Sequence, residues 1–144
     1  MPDEFKSITR TQYGNLTARY KRKKLPTVPF SLEQYREYVR LALNPGGALR
    51  CPYCHGWFGI TSIVADHVIP LSREGSLGLE NIGFIDKGCN DRKGRMTDSE
   101  YLDLLIFLDG VHPIMRKDIL SRLQMATKLA AGDAWAERRK WRGK

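Results

Sequence analysis

Apolar positions in this chain form short patterned stretches separated by polar, glycine-containing breaks. The first clear pattern covers residues 30–43. Leu32, Tyr35, Val39 and Ala42 or Leu43 recur at helical spacing. Ser31 with Gln34 makes a capping box, and Phe30 can staple onto Tyr35. Asn44-Pro45-Gly46-Gly47 stops the helix. Residues 61–71 change the period. Ile63-Val64-Ala65-Asp66-His67-Val68-Ile69 is rich in β-branched residues and closes at Pro70, which predicts a strand. A polar loop with Gly75 and Gly78 follows. Residues 81–85 read as a second short strand, and a helix opens at Cys89 with Asn90 and Asp91 at its start. Residues 99–108 are apolar on most faces, predicting a helix buried against the core or against a second chain in a homodimer. Pro113 suits the first position of the next helix. Its stripe of Ile119, Leu123, Ala126 and Ala130 runs to Gly132. Asp133 then caps a last helix, which carries Trp135 and Trp141 among Arg138, Arg139, Lys140 and Arg142.

Residues 1–29 lack such a pattern. They are polar and weakly periodic, with Arg19, Lys21, Arg22, Lys23 and Lys24 clustered before Pro26 and Pro29. This reads as a basic N-terminal arm, either solvated or phosphate-binding and ordered only on DNA. The remainder, 30–144, reads as a single domain with a core at about 48–98 and a C-terminal helical extension at 99–144.

Composition narrows the function. Apolar residues make up 42% of the 144, enough for a globular core. No run approaches the ~18 apolar residues of a membrane span. The N-terminus has no apolar signal region, so a cytoplasmic protein is expected. The net charge of +8 favours a polyanionic partner, most simply nucleic acid. Of three cysteines, Cys51 and Cys54 form C-x-x-C, which points to metal binding in a reducing compartment before a disulfide framework.

Four residues carry candidate chemistry: Asp66, His67, Asn81 and Asn90. A histidine with a reference pKa of about 6.5 can accept a proton from water near neutrality. An aspartate is a hard oxygen ligand suited to Mg²⁺ or Mn²⁺. As strand neighbours, Asp66 and His67 point to opposite faces, so one can hold an ion while the other meets water. Asn90 offers a neutral amide oxygen. The plain alternative makes Asp66 a turn cap, His67 a core histidine and Asn90 a helix cap.

The Asp66-His67 pair, Pro70, Asn81 and the C-N-x-x-K-G ending at Cys89, Asn90, Lys93 and Gly94 resemble the HNH endonuclease family, the ββα-metal or His-Me finger nucleases. The small basic form is similar to HNH proteins of phages and mobile elements. The resemblance implies an α+β fold: a ββα-metal core with a zinc knuckle, flanked by N- and C-terminal helices. It implies DNA hydrolysis with His67 as general base, Asn81 bonding backbone across the loop to hold His67, and one divalent ion on Asp66 and Asn90. Many members bind a structural Zn²⁺ through two C-x-x-C pairs. Here the third cysteine position is Asp86. Zinc held by Cys51, Cys54, Asp86 and Cys89, zinc with His55 as the fourth ligand, and a decayed site all remain open. Lys93, Arg92, Arg95, Arg22, Lys23 and Lys24 are the candidate DNA contacts. A catalytically silent DNA-binding module and a phage assembly protein built on the same fold are the competing functions.

Overall fold

The computed structural model describes the backbone of residues 3–142, with side chains through Ala126 and at Lys128 except Thr127. Two compact units divide the chain: Met1–Asp66 with Leu77–Lys87, and His67–Ser76 with Gly88–Lys144.

The first unit begins with α1 (Asp3–Arg22), where a loose basic arm was expected. Its buried stripe is Phe5, Thr9, Leu16 and Tyr20. Thr9 hides this stripe in the sequence, because a hydroxyl interrupts the apolar spacing. Its buried position is satisfied internally: Thr9 Oγ1 donates to Phe5 O at 2.7 Å and accepts from Arg36 Nε at 3.1 Å. Gln12 is handled the same way, accepting from the Tyr35 hydroxyl at 2.9 Å. Acidic Asp3 and Glu4 open α1, while Arg19, Lys21 and Arg22 lie in its last turn, complementing the helix dipole.

α2 (Leu32–Ala42) forms as its pattern predicts. Both bonds of the Ser31–Gln34 capping box are present, and the Phe30 and Tyr35 rings stack with centroids 6.2 Å apart. Tyr35 and Val39 are fully buried. Burial pushes the Tyr35 phenol well above its ordinary pKa, which leaves it a neutral hydrogen-bond donor. Tyr38 Oη donates to Ile82 O at 2.6 Å, pinning α2 to the second strand pair.

β1 (Ala48–Arg50) and β2 (Trp57–Gly59) form an antiparallel hairpin with Arg50 opposite Trp57. β3 (Ile63–His67) pairs with β4 (Ile82–Asp86). β3 is shorter than the expected 61–71, because a 3-10 turn (Ile60–Ser62) takes its start. α3 (Lys87–Lys93) begins two residues before Cys89. The α+β expectation holds, with strand, strand and helix in the ββα order.

In the second unit, α4 (Asp98–Asp109) is capped by Thr97, whose hydroxyl accepts from Glu100 N. Of the two covers expected for α4, the core and a second chain, the core takes one face. Tyr101, Leu104 and Leu108 join Met96 in a core that Leu105, Ile119 and Leu120 extend. Ile106 and Phe107 stay exposed. α5 runs unbroken from Pro113 to Arg142. Gly132 does not end it and Asp133 caps no separate helix. A glycine costs only about 1 kcal/mol inside a helix. Trp135 and Trp141 lie outside the described side chains. Among the described residues, no helix is long and apolar enough to cross a membrane.

Candidate active site and metal centre

The knuckle is built by the β1–β2 hairpin. Cys51 N donates to Gly56 O at 2.9 Å, and His55 N donates to Cys51 O at 3.0 Å. These bonds fold the C-x-x-C segment back on itself. His55 turns the chain at a φ of 62°, in the left-handed region. Gly56 follows because a Cβ there would lie 2.9 Å from the Phe58 ring. Within the first unit, Cys54 Sγ and Asp86 Oδ1 are 3.5 Å apart. Cys89 comes three residues after Asp86, in the first turn of α3, so local chain geometry keeps those two together. The ligand atoms of Cys51, Cys54, Asp86 and Cys89 all lie within 4.8 Å of one another. His55 is outside this group.

Three thiols and one carboxylate suit tetrahedral zinc in chemistry and in size. Bonds of about 2.3 Å to sulfur and about 2.0 Å to oxygen at a tetrahedral angle put the two ligand atoms about 3.5 Å apart. That is the Cys54–Asp86 separation. Cys51 and Cys89 are buried, and all three cysteines are free thiols. The cluster supports a structural zinc.

At the other end of the motif, Asp66 and His67 close β3. Asp66 is half-buried and His67 is 4% exposed. Ile63 and His67 share one face of the strand, and Asp66 has the other. Asn81 is buried at the end of a short 3-10 turn (Leu79–Asn81) leading directly into β4. Asn90 is the fourth residue of α3, half-buried, so it does not cap that helix. An interior helix position is a poor one for asparagine on propensity alone.

Lys93 corrects an expectation. It was read as a phosphate contact, yet it is 1% exposed and its Nζ donates to His67 O at 3.2 Å. The ammonium therefore holds the backbone of the motif histidine. Lys93 and Asn90 are three apart on α3, so they share a helix face. Arg92 lies on another face and donates to Cys89 Sγ at 3.3 Å. Burial works against its charge, but hydrogen bonds to Tyr101 and Cys89 outweigh that and hold its pKa above the ordinary value. Arg95 is half-buried, while Arg22 and Lys24 are exposed and Lys23 half-buried.

α3 ends at Gly94, whose φ of 55° takes the left-handed turn that closes C-N-x-x-K-G. Gln124 of α5 donates to Asp91 O at 2.6 Å and Arg92 O at 2.8 Å, satisfying carbonyls of the last turn. Nothing in the sequence around Gln124 signals this role, since a lone glutamine on a helix gives no pattern.

No curated protein and no solved structure matches the chain. One family model does, and it is described as HNH endonuclease. Its match begins at the first knuckle cysteine and ends just beyond Gly94, enclosing the thiol and carboxylate cluster, the Asp66-His67 strand end and α3. The chain thus carries an HNH endonuclease domain at residues 51–96.

Proposed function

We propose that this domain hydrolyses DNA phosphodiester bonds, with His67 taking the proton of the attacking water. The observation that carries this reading is the bond from Lys93 Nζ to His67 O. It fixes the histidine backbone to α3, one helical turn from Asn90. A general base needs such positioning, because proton transfer depends on hydrogen-bond distance to the water. Asp66 and Asn90 are the residues that would hold Mg²⁺ or Mn²⁺, a hard cation suited to their carboxylate and amide oxygens. Bound there, the ion would neutralise the phosphate and stabilise the leaving 3′ oxygen. Asn81, buried beside the start of β4, is the residue that would bond backbone across the loop and hold His67 in position. The net charge of +8 supports DNA as the partner. Three thiols gathered around an aspartate suit a reducing cytoplasm.

Plasmid nicking tests the proposal. The wild type nicks supercoiled DNA with Mg²⁺ or Mn²⁺ and stops without them. His67→Ala loses ~10²–10⁴-fold in rate while retaining DNA binding. Asn90→Ala loses its metal-supported activity. A nicking rate at wild-type level in purified His67→Ala protein would overturn the assignment. DNA binding without nicking in any divalent ion would leave a silent DNA-binding module.

A further inference from the structure

The β1–β2 hairpin carries two residues that neither the metal cluster nor the catalytic strand uses. Trp57 is 61% exposed. Its partner across the ladder is Arg50, also exposed. Residues directly opposite in an antiparallel pair project to the same face and lie within side-chain reach. An indole plane and a guanidinium are therefore neighbours on one side of the hairpin. Arg50 Nε donates to His55 O at 3.2 Å, which ties the guanidinium to the knuckle backbone. The terminal nitrogens supply the remaining donors.

Beside this pair runs an open groove of about 670 Å³, walled by Tyr38, Leu41, Pro52, Trp57 and Phe84 with Arg50 at its side. The volume falls in the range of sites for small organic groups, roughly 300–1,000 Å³. Arg50 is the one charged residue among those lining it, and no acid lines it. A cation, a flat aromatic face and apolar walls match a nucleotide. The base can stack on the indole, and the phosphate can pair with the guanidinium. A base within continuous duplex has both faces covered by its neighbours, so only an unpaired base can use Trp57 in this way.

We propose that this groove binds an unpaired nucleotide of the DNA substrate, with its base on Trp57 and its phosphate on Arg50. The domain then prefers DNA bearing a single-stranded branch or gap over uninterrupted duplex. This rests on the DNA-nuclease reading and adds the structural class of its substrate.

The test uses the full chain as purified, with Ca²⁺ in place of Mg²⁺ to slow cleavage. Fluorescence anisotropy compares a plain duplex with the same duplex carrying a five-nucleotide flap. The expected wild-type result is about tenfold tighter binding of the flap, the scale of one stacked base. Trp57→Ala brings the flap down to the affinity of the duplex, and Trp57→Phe keeps most of the preference. A 2-aminopurine in the flap is quenched by wild-type protein and stays bright with Trp57→Ala. Equal wild-type affinity for the two DNAs overturns the proposal, and so does a flap preference that survives Trp57→Ala. In the latter case the exposed indole serves another contact, such as a protein partner. Failure of the nuclease reading is separate: it is absence of nicking with Mg²⁺ or Mn²⁺ on any DNA, read on the same protein.

Discussion

Two basic runs look alike in the sequence and differ in the structure. Arg19 to Lys24 ends α1, and Arg92 to Arg95 ends α3. The α1 run points largely to solvent: Lys21, Arg22 and Lys24 are exposed. Lys24 closes the helix in a left-handed conformation at φ 55°, and Leu25 tucks in behind it. In the α3 run, Arg92 bonds Cys89 and Lys93 is buried on the carbonyl of His67. A positive charge is thus a surface feature in one helix and a structural component in the other. What separates the two is the neighbour one helical turn away. Behind Arg92 and Lys93 lie Cys89 and Asn90, the motif itself. A buried ammonium is tolerated only where acceptors surround it, and a strand end with a spare carbonyl provides one.

If α3 is held by its chemistry, removing the metal should disturb it most, and should leave the α1 run unaffected. About one tightly held zinc per chain is expected by elemental analysis of protein purified without added metal. The free energy of structural zinc sites is folding free energy, on the order of 10 kcal/mol in small peptides. Cys51→Ser should therefore lose the zinc, lower the melting temperature and reduce nicking indirectly. Asp86→Cys should keep or tighten zinc binding, since a thiolate replaces the carboxylate. Well-folded, active protein free of zinc would leave the cysteines as packing residues and remove the support beneath the α3 run.

The next effect in size is that of Lys93. A hydrogen bond to a charged group contributes about 1.5–3 kcal/mol. Lys93→Met removes that donor and leaves the buried carbonyl of His67 without it. The expected loss is about 10- to 100-fold in kcat for nicking, with KM and the salt dependence of DNA binding nearly unchanged. Lys93→Arg, which keeps the charge and the donors, should recover part of the rate. A drop in DNA affinity with a shallower salt dependence would mean instead that Lys93 reaches phosphate.

These contrasts also show what the sequence reveals. Local signals survive folding. The Ser31–Gln34 box, the C-x-x-C turn closed by Gly56, and the Asp66-His67 strand each depend on residues a few positions apart. The α1 stripe was missed because Thr9 and Gln12 are polar, and their burial depends on Arg36 and Tyr35, far along the chain. The role of Lys93 was missed for a related reason. Charge is visible in a sequence, but the carbonyl that buries it is not. α4 shows the limit of composition: apolar residues on most faces predict cover by the core or by a second chain, and within the chain the core covers the face of Tyr101, Leu104 and Leu108. The family resemblance marks Asp86 as a candidate ligand, and its distance from Cys54 Sγ supports it over His55.

The smallest effect belongs to the exposed run. Arg22 and Lys24 lie at the C-terminal end of α1 with no catalytic group near them in sequence, so their contribution to DNA would be electrostatic and independent of base sequence. Each lysine or arginine that neutralises a phosphate releases a counterion, steepening the fall of log K with log salt by about 0.9 per contact. Neutralising Arg22, Lys23 and Lys24 together should weaken binding at low salt and flatten that slope by roughly 2–3. The nicking rate at saturating DNA should stay at the wild-type level, the opposite of the Lys93→Met pattern. Lys23 is half-buried, so the single variant Lys23→Gln should change the slope less than Arg22→Gln or Lys24→Gln. A triple variant with an unchanged slope would mean the run is solvated and serves only the end of α1. The two basic stretches would then differ not in how they meet DNA but in whether they meet it at all.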